Sequence, residues 1–209
     1  MFGASARSAS HWTAMRPITR IRSSLCDCLV GAVAVLALSV PSAAQSPGAT
    51  KPKAAENPVL LVATEKGTFE IELFAAEAPK SVEHIVRLAK KYFYNNQRIH
   101  RVEAGSLVQF GDIRTRDMTK RAEWGSGGGG GSGRPLDVAE FSKQLKHTRG
   151  TVALAHSGDP KRADSQLFIG LRAHPGWNGK YVIVGRVASG MDVVTKLRVD
   201  DRIKRVTVK

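Results

Sequence analysis

Most residues of this chain that could do covalent chemistry fall outside any pattern that would let them. His156, Asp164 and Ser165 are the side-chain types of a nucleophilic triad, but no G-x-S-x-G turn presents a serine between a strand and a helix. The histidines lack the paired spacing of a metal centre, and no cysteine lies near them to help. The run 127–131 is all glycine. It lacks a closing Lys-Ser/Thr and a preceding strand, so it does not read as a phosphate cradle. What remains is non-covalent. Residues 99–112 read IHRVEAGSLVQFGD and hold Arg101 and Gln109. Residues 153–157 read ALAHS, 165–169 read SQLFI, and 177–181 read WNGKY. A guanidinium is permanently charged and offers a rigid fork of donors. Set among amides and aromatic rings, it can bind and polarise a substrate without bonding to it.

Those segments need a frame, and the surrounding sequence supplies one. Residues 59–63 form a continuous apolar run and Gly67 a turn; residues 68–74 then alternate Phe69, Ile71 and Leu73 with Glu70 and Glu72. Period two marks a strand with one buried face, so a hairpin is expected. Pro79 suits the first turn of a helix, and Val82, Ile85, Val86, Leu88, Ala89 and Phe93 follow at helical spacing. Glu83 and Arg87 are placed for an ion pair four residues apart. His84 is expected on the surface of this helix, and His100 as a buried, hydrogen-bonded residue. Short strands are expected at 98–102, 107–110, 151–155, 166–171 and 181–187. A second helix is expected at 191–197 and a closing strand at 202–208. The sum is mainly β: a closed antiparallel barrel capped by two α-helices.

The bulk numbers set limits. The 209 residues carry 32 Lys+Arg and 18 Asp+Glu, a formal charge of +14. That balance favours acidic clients or anionic surfaces. Arg16, Arg20 and Arg22 precede the apolar run 29–40, which Pro41 and the small residues Ser42, Ala43 and Ala44 end. This is the layout of a signal peptide with cleavage after Ala44, and the run is too short to span a bilayer. Residues 1–44 are therefore expected to be removed, 45–57 to be a flexible tether, and 58–209 to be the folded domain. The product would be exported, to a periplasm or the medium. Both cysteines, Cys26 and Cys28, lie in the leader, so the remainder would have no disulfide. Residues 124–135 read WGSGGGGGSGRP. By composition alone this is an interdomain linker.

Four blocks, taken in order, decide that last point. HRVEAGSLVQFGD resembles F-H-R-V-x-P-G-F-x-x-Q-G-G-D of the cyclophilins, the peptidyl-prolyl cis/trans isomerases. ALAHS resembles S-M-A-N-A, SQLFI resembles S-Q-F-F-I, and WNGKY with VGRV resembles W-L-D-G-K-H with V-F-G-K-V. Ala78 to Ile85 is similar to A-P-K-T-V-E-N-F. The resemblance covers 60–208 and straddles WGSGGGGGSGRP, which is then a loop inside one domain. It implies an eight-stranded cyclophilin-like barrel in a bacterial, exported isomerase, acting on X-Pro bonds of unfolded or newly translocated chains. Arg101 would be the catalytic residue. Gln109, Leu107, Ala155, His156, Gln166, Phe168, Trp177 and Tyr181 would bind substrate, with Phe168 as the floor of a proline pocket. No cofactor, no metal and no specific nucleic acid is implied, and a monomer is expected. Ser106 stands where the family has phenylalanine, which should leave the pocket wetter and wider. That departure keeps a second reading open: a weakly catalytic, proline-peptide-binding chaperone module.

Overall fold

A computed structural model of the protein describes residues 57–126 and 131–209. The expected leader over 1–44, almost all of the tether over 45–57 and the centre of the glycine run lie outside the described residues. The chain begins with β1 (Val59–Thr64) and β2 (Gly67–Leu73), then α1 (Pro79–Lys90), β3 (Arg101–Glu103) and β4 (Leu107–Phe110). After the glycine run come β5 (Thr151–Leu154), β6 (Leu167–Gly170), β7 (Ile183–Ser189), α2 (Met191–Lys196) and β8 (Ile203–Val208). Short 3-10 helices at Ile113–Arg116, Met118–Glu123, Pro160–Arg162 and Pro175–Trp177 were not expected from the sequence. They are too brief to leave a periodic signal.

The strands form one antiparallel sheet in the order β3-β4-β6-β5-β7-β2-β1-β8. Strands from both sides of 124–135 alternate in it: β4 pairs with β6, β2 with β7, and β1 with β8. The sheet curls, but its end strands share no ladder. Residues preceding β3 reach the start of β8 instead, through an Arg98–Arg202 bridge and bonds such as the Ile203 N–H to the Gln97 carbonyl at 2.8 Å. The expected closed barrel is therefore realised in part. The expected pair of capping helices is unequal, since α2 has only six residues.

Alternation decides which side chains meet. In β1 and β2, Leu60, Val62, Phe69, Ile71 and Leu73 are buried and their neighbours are not fully so. Every residue of β4, β5 and β6 is buried, because both faces of these strands are covered. One face gives Val108, Phe110, Val152, Leu154, Leu167 and Ile169 to the main core. The other face gives Ala153 and Phe168 to a smaller cluster with Ile183, Trp177 and Tyr181. Gly185 of β7 is needed where two backbones touch: a Cβ there would lie 2.2 Å from the Glu72 carbonyl oxygen.

Helix α1 has Pro79 in its first turn and no capping side chain at Ala78. The cap comes from sixty residues away. The Glu140 carboxylate accepts from the Lys80 N–H at 3.1 Å and from the Ser81 N–H and hydroxyl at 2.8 Å each. It thereby serves donors that the helix itself cannot, at the positive end of its dipole. Two expectations for this helix change. His84 is buried, because its Nε2–H donates to Asp164 Oδ1 at 2.8 Å, which removes the need for water. Arg87 donates to His84 Nδ1 at 2.6 Å, turning to that ring where the sequence spacing offered it Glu83.

Candidate active site

The antiparallel register lines up one row of side chains. Arg101 faces Gln109 across β3 and β4, Gln109 faces Phe168 across β4 and β6, and Phe168 faces Ala153 across β6 and β5. Directly paired residues share a sheet face, so segments far apart in sequence converge. They line a cavity of about 1000 Å³. All nine expected residues lie on it: Arg101, Leu107, Gln109, Ala155, His156, Gln166, Phe168, Trp177 and Tyr181. Phe110 turns the other way, edge-on to Tyr94 in the main core at 6.2 Å.

One end of the row is polar. Arg101 Nη1 donates to Gln109 Oε1 at 3.3 Å, and Nη2 pairs with Glu103. Arginine only donates, so Gln109 must turn its oxygen toward Arg101. Its amide NH₂ then faces the other way and donates to Gln166 Oε1 at 2.9 Å. A single chain of donors and acceptors thus holds the guanidinium, whose side chain keeps about half of its exposure (53%). Glu103 lines the same cavity and was not expected there.

The other end is aromatic. Phe168 is buried, with the edges of Trp177 at 5.3 Å and Tyr181 at 5.2 Å. His147 stacks on it at 6.0 Å. Burial lowers the His147 pKa, and its Nε2 has no hydrogen-bond partner. No pattern in the sequence marks His147, which lies in the irregular stretch before β5. His156 tilts over Tyr181 at 4.7 Å and bonds the Lys180 carbonyl through Nε2 at 2.9 Å. Ser106 is not among the lining residues. Its carbonyl takes a bond from His174 Nε2 at 3.1 Å, and His174 stacks on Trp177 at 3.6 Å. Of the aromatic groups gathered here, Trp177 lines the cavity, with His174 stacked on it and His147 edge-on to it.

A buried carboxylate, Asp112, and a partly buried one, Asp164, hold the rim. Burial pushes the Asp112 carboxyl up, but bonds from Arg114 and the Gly125 N–H outweigh it and keep its pKa below the usual range. Asp164 follows the same logic: burial raises it, and bonds from His84 and Ser132 hold it low. Gly125, Ser132 and Gly133 line the cavity. The basic stretch 114–121 is partly committed to contacts within the chain. Arg114 pairs with Asp112, Arg121 pairs with Asp200, and Arg116 binds backbone carbonyls. His100 also departs from expectation. Neither ring nitrogen has a well-formed hydrogen bond among the described residues, and burial drives its pKa down to about 4 against the pull of Asp112 and of the nearby Gln166 side chain.

Known proteins are similar to this chain in sequence and fold. The family model described as cyclophilin type peptidyl-prolyl cis-trans isomerase/CLD matches residues 59–209. A probable peptidyl-prolyl cis-trans isomerase of Brucella suis is 39% identical over 189 residues, 90% of this chain and 91% of that protein. A peptidyl-prolyl cis-trans isomerase-like 1 of Aspergillus niger is 38% identical over 137 residues, covering 64% of this chain and 77% of its own. A crystal structure of a cyclophilin type peptidyl-prolyl cis-trans isomerase of Cryptosporidium parvum superposes with a TM-score of 0.62 at 25% identity. It covers 73% of this chain and 98% of its own. The match of sequence and of fold has one consequence: this chain belongs to the cyclophilin-type peptidyl-prolyl cis-trans isomerase family.

Proposed function

We propose that this isomerase accelerates X-Pro rotation in unfolded, exported polypeptides, with Arg101 as the catalytic residue. Rotation is slow because C–N resonance sets a barrier of about 20 kcal/mol. In the twisted state the prolyl nitrogen loses that resonance and gains a lone pair. A fixed cation aimed at this nitrogen favours the twisted amide over both planar forms, which is the condition for catalysis. The apolar floor at Phe168 would seat the proline ring, and Ala155, His156 and Gln166 would hold the flanking backbone. No group needs to gain or lose a proton.

The observation that carries this reading is the Arg101–Gln109–Gln166 chain, which holds a guanidinium beside the aromatic floor. Export rests on the leader over 1–44, and the client class follows from export. One observation favours the second reading of a binding module: Glu103 already occupies part of the guanidinium. A proline-isomerisation assay on the full chain and on Arg101→Ala separates the two. The variant should lose about 10²–10³ in kcat/KM while still binding proline peptides. Peptide binding with no acceleration in either form would leave only the binding module, and equal acceleration in both would remove Arg101 from the mechanism. Turnover of a neutral peptide should be nearly indifferent to salt.

A further inference from the structure

A second cavity, of about 680 Å³, lies beside the C-terminal end of α1. Arg87 and Lys91 line it from the helix side, Arg116 from the loop after β4, and Arg134 from the far side of the glycine run. No carboxylate lines it. Nine ion pairs exist among the described residues, and none draws on these four cations. Two of the four are nonetheless held in place by uncharged partners. Arg87 rests on His84 Nδ1. Arg116 donates to the carbonyls of Asn95 at 2.9 Å, Tyr92 at 3.0 Å and Phe93 at 2.7 Å. That grip spans a turn in which Tyr92 (φ 57°) and Asn96 (φ 60°) both adopt the left-handed conformation, which is costly for an aromatic residue. The fold thus spends strain to shape this wall and leaves its charge unneutralised.

We propose that this cleft binds a multivalent phosphate anion, a chain of phosphates or a clustered phosphate headgroup. Rigid guanidinium forks match phosphate oxygens, and several of them around one concavity favour a ligand with more than one charge. A water occupies about 30 Å³ of liquid, so the cleft is far larger than one phosphate group requires. It meets the substrate groove only at Ser132, which lines both, and none of its four cations lines that groove.

The test is calorimetric titration of the full chain with inorganic tripolyphosphate. Two charge-reversed variants are compared, both at exposed positions and both changing net charge equally. Lys91→Glu with Arg134→Glu alters the cleft, and Lys204→Glu with Arg205→Glu alters β8 on the sheet edge. A thermal melt of each checks that it folds. The cleft variant should bind about tenfold or more weakly, and the β8 variant within about twofold of the parent. Equal losses in both variants, or no saturable binding by the parent, would overturn the proposal. Sedimentation with vesicles containing phosphatidylglycerol tells the sources apart. Capture lost only in the cleft variant means headgroups. No capture beside saturable tripolyphosphate binding means a soluble ligand. Binding is read without turnover, so this result and the isomerase assay fail independently.

Discussion

Arg101 is an ordinary residue made useful by what fixes it. An exposed arginine paired with an exposed glutamate contributes little to stability. Here the same side chain is aimed by Gln109, which is itself buried and anchored on Gln166. His100, next to it in sequence, shows the reverse: a group that could titrate but is denied water. Unfolded, it takes up a proton near pH 6.5; folded, it stays neutral down to about pH 4. Between those values the unfolded chain binds more protons, so stability present above about pH 6.5 is lost as the pH falls toward 4. The loss is on the order of 3 kcal/mol at most. His100→Phe should flatten the dependence of Tm on pH between 7 and 4.5 in thermal melts. A smaller slope of the same sign should remain, because burial lowers His147 as well. An unchanged slope would place the acid sensitivity elsewhere.

At the scale of elements, α1 depends on a residue that is no part of it. Glu140 serves two backbone N–H groups and one hydroxyl at the helix start. Glu140→Ala should cost about 1–2 kcal/mol in urea unfolding, with Glu140→Gln recovering part of it, and should leave peptide turnover nearly intact. The helix itself was legible from its apolar spacing, and so was the first hairpin. Its cap was not, because the chain between Ser81 and Glu140 hides their neighbourhood from any local pattern. His84 illustrates the same limit. Its position beside Ile85 put it near the buried face, but only Asp164, eighty residues later, made burial affordable. The nine groove residues were legible through blocks of matching sequence. His147 and His174 were not, since stacking brings them in from segments that match nothing, and Glu103 was not because it stands at the variable position of the first block.

At the scale of the molecule, the two halves of the chain are not separable. Three neighbour pairs in the sheet, β4 with β6, β2 with β7 and β1 with β8, join strands from opposite sides of the glycine run. Each half alone would expose the apolar faces and open edges that the other covers. A chain cleaved within 127–130 should therefore stay associated and retain activity. Either fragment expressed alone should show no cooperative unfolding by circular dichroism. A fragment that melts cooperatively would restore the linker reading of WGSGGGGGSGRP. The same interleaving links the helix to the groove: Asp164 holds His84 of α1 on one side and Ser132 of the groove wall on the other.

The order of hydrophobic and polar residues was enough to determine that this chain builds short strands and one long amphipathic helix, because period and turn residues act locally. Its motif blocks were enough to pick out the residues of the groove. Register was decided only by the folded sheet. Which side chain stands opposite which depends on pairings between strands from different parts of the chain. Those pairings put Arg101, Gln109 and Phe168 in one row; contacts between distant segments buried His84 and His147, and gathered around one cleft four cations that form no ion pair among the described residues.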